Sequence, residues 1–196
     1  GTSLAFGTGG LRGLIGAGTN RINRYTVAQA TEGLARYVLT QGQEMCRRGV
    51  VIAFDSRLYA SWFAEIAAGV LCRNGIKVYL SNTIRPVPVL SFAVRHLRAA
   101  AGIMITASHN PACYNGYKVY GPDGGQITLE AAQTIQAAIR QASDVRRLSD
   151  TSFAASQASG LLYPFGAEID EAYYAYLLAN RVNPDKNDWL ADLKVV

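Results

Sequence analysis

Three short apolar runs alternate with longer stretches of helical periodicity: "VVIAF" at Val50–Phe54, "IKVYL" at Ile76–Leu80 and "AGIMIT" at Ala101–Thr106. No other feature constrains the fold as strongly. Runs of this length, rich in apolar and β-branched residues, match strands. Strands that alternate with helices at this spacing predict a mostly parallel sheet with helices packed on both faces.

The intervening stretches supply those helices. From Tyr25 to Gln41 the apolar positions Val27, Ala30, Leu34 and Val38 share one face, and Thr26 with Gln29 has capping-box form. A second helix is predicted from Ser61 to Arg73, stopped by Asn74 and Gly75. A third runs from Pro86 to Leu97, where prolines fall in the first turn and are tolerated. "GYKVYG", just before the turn signal "PDGG", reads as an antiparallel edge strand. Thr128 is the predicted N-cap of a helix reaching Ala142, residues 143–160 read as a surface loop, and a last helix covers Ile169–Ala179. "DLKVV", Asp192 to Val196, reads as the opening of a strand with nothing after it, as in a chain cut at a domain boundary. The expected division is 1–189 for one domain and 190–196 for the start of the next.

Composition narrows the function classes. Of 196 residues, 49% are hydrophobic and 17% charged, which predicts a packed chain rather than a disordered one. The net charge of +5 is spread over single residues and pairs such as Arg47–Arg48, so no nucleic-acid arm is expected. Cys46, Cys72 and Cys113 are odd in number and widely spaced, arguing for free thiols in a cytoplasmic protein. No apolar run reaches the roughly 20 residues a bilayer needs, and no membrane partner is expected.

The chemistry gathers after the third strand. "TASHNPACYNGYK" leaves a buried run and opens into small polar residues around Ser108, His109 and Asn110, at the strand end where open α/β sheets bind ligands. An ordinary strand-end turn is the plain reading of this segment. A hydrolase would need a base. His109 is adjacent to Ser108 and poorly placed for triad geometry, His96 falls on a predicted helix, and no G-x-S-x-G elbow is present. A phosphoryl carrier would need cations and backbone donors to neutralise a charge of about −1.5 to −2. "FGTGGLRG", Phe6 to Gly13, offers glycines and Arg12, without the spacing of a dinucleotide or P-loop fingerprint. Lys118 is either a surface lysine or a member of the same pocket. Arg57, in "FDSR" past the first strand, either joins the site or pairs with Asp55, and the pair is the favoured reading.

Taken in order, "FGTGGLRG", "FDSR", "TASHNP" and "NGYK" resemble the α-D-phosphohexomutases, the phosphoglucomutase and phosphomannomutase superfamily. The resemblance implies a three-layer α/β/α domain with a mixed, mostly parallel four-stranded sheet and one antiparallel edge strand, the first domain of a four-domain enzyme. It implies that Ser108 carries the phosphoryl group and lends a phosphate oxygen to Mg²⁺. By the same resemblance Arg12, Thr8 and Asn110 bind phosphate, His109 contacts phosphate or moves a proton, and Lys118 binds substrate and is the general acid or base. The implied partners are hexose phosphates and the enzyme's other domains, with glucose 1,6-bisphosphate as phosphoryl donor. The motifs lie closest to the phosphoglucomutase branch; mannose and pentose phosphates, or a non-catalytic sugar-phosphate binder, are the alternatives. The D-G-D-x-D metal loop of the family's second domain does not occur here, since Asp185 and Asp188 have the wrong spacing, so little mutase activity is expected of this chain alone.

Overall fold

In the computed structural model, which describes residues 3–142, 144–182 and 194, the strands form one six-stranded sheet in the order β1-β5-β4-β2-β3-β6. The strands are β1 (Leu11–Leu14), β2 (Val50–Phe54), β3 (Val78–Ser81), β4 (Ala101–Ile105), β5 (Tyr114–Tyr120) and β6 (Leu162–Phe165). Four of them, β4, β2, β3 and β6, run parallel, while β5 is antiparallel to both β4 and β1. The longer helices are α1 (Arg24–Thr40), α3 (Ala60–Arg73), α4 (Val87–His96), α5 (Leu129–Gln141) and α8 (Ala167–Ala179). Shorter ones are α2 (Gln43–Arg48), α6 (Val145–Ser149) and α7 (Phe153–Ala158).

Every residue of β2 and β4 is buried, which explains why these strands read as continuous apolar runs. Alternate side chains feed two cores. Val50 and Ile52 pack with α1, α3 and α5 on one face, whereas Val51 and Ala53 pack with α4 and α8 on the other. The three-layer expectation therefore holds. The strand count does not: β1 and β6 extend the expected four to six, and the antiparallel β5 is an inner strand, with β1 at the edge. Both additions are four-residue strands whose only partner is one neighbour, too short for a period-2 signal to stand out.

Local chemistry moved other boundaries. The α1 cap is one turn earlier than the Thr26–Gln29 pattern implies: Asn23 accepts from the Tyr25 and Thr26 N–H groups, and the Thr26 hydroxyl answers the Asn23 N–H. Residues 143–160 hold α6 and α7, whose five or six residues carry too little periodicity to be seen. Asn74 caps α3 and Thr128 caps α5 as expected. The strand opening expected at Asp192–Val196 and the boundary at 189–190 lie outside the described residues, Lys194 apart.

Candidate functional site

Parallel pairing of β2 with β4 sets the last residues of both strands side by side, Phe54 opposite Ile105, and the Asp55 N–H extends the ladder to the Ile105 carbonyl at 3.2 Å. The loops that leave these two strands are therefore neighbours. One is Asp55–Arg57, the other is the serine loop.

Ser108 is exposed and left-handed, with φ of 58°. Its N–H donates to the Thr106 hydroxyl at 2.9 Å, and the Asn110 N–H closes the turn on the Ala107 carbonyl at 3.2 Å. Among the described residues the hydroxyl meets only the His109 ring, with Oγ 3.4 Å from Nδ1, longer than the usual hydrogen bond of about 2.7–3.2 Å. His109 is exposed, and among the described residues its main-chain N–H has no partner. His96, the other histidine, is far along the chain on α4 and stacks on Phe92.

Arg12 comes from the edge strand. Its Nη1 donates to the Asn110 side-chain carbonyl at 3.0 Å, so two of the expected residues meet directly. Gly10 and Gly116 make that approach: a Cβ on Gly10, where φ is +75°, would collide with the Tyr117 carbonyl, and one on Gly116 would lie 2.6 Å from the Thr106 carbonyl. Tyr117, between them in the ladder, is fully buried, and burial pushes its phenol above the usual range, keeping it neutral. Thr8 tops an exposed turn closed by Gly7 and Gly10, and no hydrogen bond joins it to the serine loop among the described residues.

Lys118 pairs with Met104 and shares its sheet face, near the end of β4 that carries the serine loop. It is half-buried and has no hydrogen-bond or ion-pair partner among the described residues. Arg57 is where reading by residue fell short. It does pair with Asp55, at 3.4 Å, but its guanidinium also donates to the carbonyls of Ser108, Asn110, Pro111 and Tyr114. A second arginine lies in no recognisable motif: Arg85, after β3, forms a two-pronged pair with Asp170 of α8 at 2.8 Å and also donates to Ser81 and Asn82. The Arg85 guanidinium holds the Asp170 carboxyl below its ordinary pKa.

The site thus places one accessible hydroxyl in a loop bound by Arg12 and Arg57, and the Asp55 carboxylate of the adjoining loop is paired with Arg57. Residues 3–146 match the family model described as phosphoglucomutase/phosphomannomutase, alpha/beta/alpha domain I. The chain belongs to the phosphoglucomutase/phosphomannomutase family. A phosphoglucomutase of Staphylococcus epidermidis is 42% identical over 173 residues, which is 88% of this chain and 31% of that protein. The phosphoglucomutase of Staphylococcus haemolyticus is 49% identical over 68% of this chain and 25% of its own length. A solved structure from Thermus thermophilus, carrying a provisional phosphomannomutase name, superposes with a TM-score of 0.72 at 34% identity, covering 91% of this chain and 36% of its own. The chain therefore spans about a third of these relatives' length. Within the family, residues 3–146 correspond to domain I, and the serine loop, Arg12, Arg57 and Lys118 all fall inside that match.

Among the described residues no three His, Cys, Asp or Glu side chains come together as a metal site, and no helix is long and apolar enough to cross a membrane.

Proposed function

We propose that this chain is the phosphoserine-bearing part of an enzyme that interconverts hexose 1-phosphate and hexose 6-phosphate through a bisphosphorylated sugar. The observation that carries the reading is the presentation of Ser108: a left-handed residue at the tip of a buried central strand, its hydroxyl uncovered, with Arg12 anchored beside it through Asn110. A packed strand that fixes one oxygen suits phosphoryl transfer, which depends on positioning and charge neutralisation more than on a strong nucleophile.

In the proposed step the Ser108 oxygen attacks a sugar phosphate in line. The Oγ–P bond forms as the P–O bond to the sugar breaks, and the hydroxyl proton leaves to a base while the sugar oxygen gains a proton. Lys118 is the proposed acid or base, being without a partner among the described residues and beside the end of β4. Arg12 and Asn110 hold phosphate oxygens, the His109 main-chain N–H supplies one more donor, and Thr8 lies on the turn leading to Arg12. Transfer in the reverse direction returns the group to the sugar's other oxygen.

Among the described residues no three metal-binding side chains come together, so a phosphate oxygen on Ser108 would be their contribution to a Mg²⁺ site. The remaining ligands belong, in this reading, to the part of the enzyme that follows. Glucose is the proposed hexose, since the Staphylococcus relatives bear the phosphoglucomutase name.

The test is peptide mass spectrometry of the full-length protein before and after glucose 1,6-bisphosphate and Mg²⁺, with S108A alongside. A phosphate that appears on Ser108 and is removed by glucose 1-phosphate is the expected result. An unmodified Ser108 in the folded protein overturns the reading.

A further inference from the structure

The Asp-Ser-Arg loop after β2 touches the serine loop through one side chain, that of Arg57. Arg57 places Nη2 at 2.6 Å from both the Ser108 and Asn110 carbonyls, and Nη1 at 2.9 and 3.1 Å from the Pro111 and Tyr114 carbonyls. Its Nε faces Asp55. The guanidinium has five N–H groups, and these contacts use all its nitrogens. Only 13% of the side chain is exposed, so it lies under the loop rather than in the solvent-facing site.

Peptide planarity turns this into a statement about the opposite face. In a trans peptide the C=O and the following N–H point in opposite directions. The Ser108 carbonyl points down at Arg57, so the His109 N–H points up, away from it, and that N–H is without a partner among the described residues. The same holds for the Pro111 carbonyl and the Ala112 N–H. An arginine that gathers carbonyls beneath a loop leaves amide donors on top, which is what an anion above the loop requires. The same grip holds Ser108 left-handed, a conformation that a side chain disfavours.

We propose that Arg57 is the positioning residue of the serine site: by binding three carbonyls of the loop and that of Tyr114 at the start of β5 from below, it fixes the Ser108 oxygen and turns the His109 amide toward a phosphoryl group on Ser108. This inference rests on the phosphoserine reading above. Arg57 itself touches neither sugar nor phosphate.

The experiment is the initial rate of phosphoryl transfer from labelled glucose 1,6-bisphosphate to Ser108 in the full-length protein, at varied sugar concentration, for wild type, R57A and R57K, each with a thermal melt. R57A is expected to slow transfer by about a hundredfold, the scale of a misplacement near 1 Å, with half-saturation moved less than about threefold. Methylguanidinium added to R57A is expected to recover about tenfold of the rate, since a free guanidinium can occupy the vacated cradle. R57K, whose single ammonium cannot span four carbonyls, is expected to fold and to remain slow, and it decides the matter if R57A does not fold. Wild-type rates in either folded variant overturn the proposal. So does a loss carried mainly by half-saturation, or a slow R57A that methylguanidinium leaves unchanged. A wild-type protein that takes no label defeats the phosphoserine reading and this inference with it, whereas normal labelling of wild type and variants defeats only the inference.

Discussion

At the scale of single residues, conformation and chemistry pull in different directions at Ser108. The left-handed backbone favours glycine, so a side chain is kept there at a cost in stability. S108G is therefore expected to exceed S108A in unfolding free energy by about 1 kcal/mol in urea titrations, although neither can take a phosphoryl group. A more stable S108A would show that the loop is not strained. The glycines of the Arg12 loop differ among themselves for the same steric reason. A Cβ on Gly10 meets the Tyr117 carbonyl of the neighbouring strand, whereas one on Gly9 meets nothing within 4 Å. G10A is expected to cost about 2–4 kcal/mol and G9A less than about 0.5 kcal/mol by the same titration. Equal costs would mean that β1 does not depend on this close approach.

At the scale of elements, two side chains carry more than their own helices. Asn23 caps α1 and also donates to the Gly16 and Gly18 carbonyls at 2.9 Å, so it binds the helix start to the loop before it. N23A should cost about 2 kcal/mol, the upper end for a lost cap, while N23D keeps the acceptor, loses the amide donors and should cost about 1 kcal/mol. The other is Asp170, which docks α8 on the sheet through Arg85. Its carboxyl pKa is held down in the folded state by the Arg85 hydrogen bonds, so the stabilisation is complete above the ordinary carboxylate pKa and is lost as pH falls through the folded value. Wild type should exceed D170N by about 1.5–3 kcal/mol at pH 7, and the gap should close in acid, below the folded pKa; a gap independent of pH would refute the assignment. Neither device is fully legible in the sequence, for a definable reason. The central strands and α3, α4 and α5 announce themselves because their burial is continuous or periodic. Ser108, Arg12 and Asn110 stand out because they sit in short motifs. Arg57 and Arg85 act across 51 to 85 positions, on carbonyls and on one carboxylate, and only the pairing of β2 with β4 and the docking of α8 bring those partners to them. The Asn23 cap was displaced to Thr26 because Thr26 belongs to the same reciprocal pair from the other side.

At the scale of the whole molecule, the sheet separates support from chemistry. Both apolar cores lie on the faces of the sheet, and the serine loop, the Asp55–Arg57 loop and Arg12 converge at the end where β2 and β4 finish. In the proposed reading that end presents one half of a site, with Ser108 as nucleophile, Arg57 beneath it and Arg12 and Lys118 beside it, and no trio of metal-binding side chains comes together among the described residues. The chain spans about a third of its phosphoglucomutase relatives, a length that leaves room in them for the complementary half of the proposed site. In the proposed reaction the bisphosphorylated sugar would have to be held while it presents first one phosphate and then the other to the same serine, and one open face offers little grip on such an intermediate. The 196-residue chain alone is therefore expected to show no glucose 1-phosphate to glucose 6-phosphate turnover in a dehydrogenase-coupled assay, while the full-length protein does. Adding the remaining domains as a separate chain should restore measurable turnover at high concentration. Turnover by the isolated chain would mean that the half-site description is wrong and that the residues around Ser108 suffice to hold both phosphates.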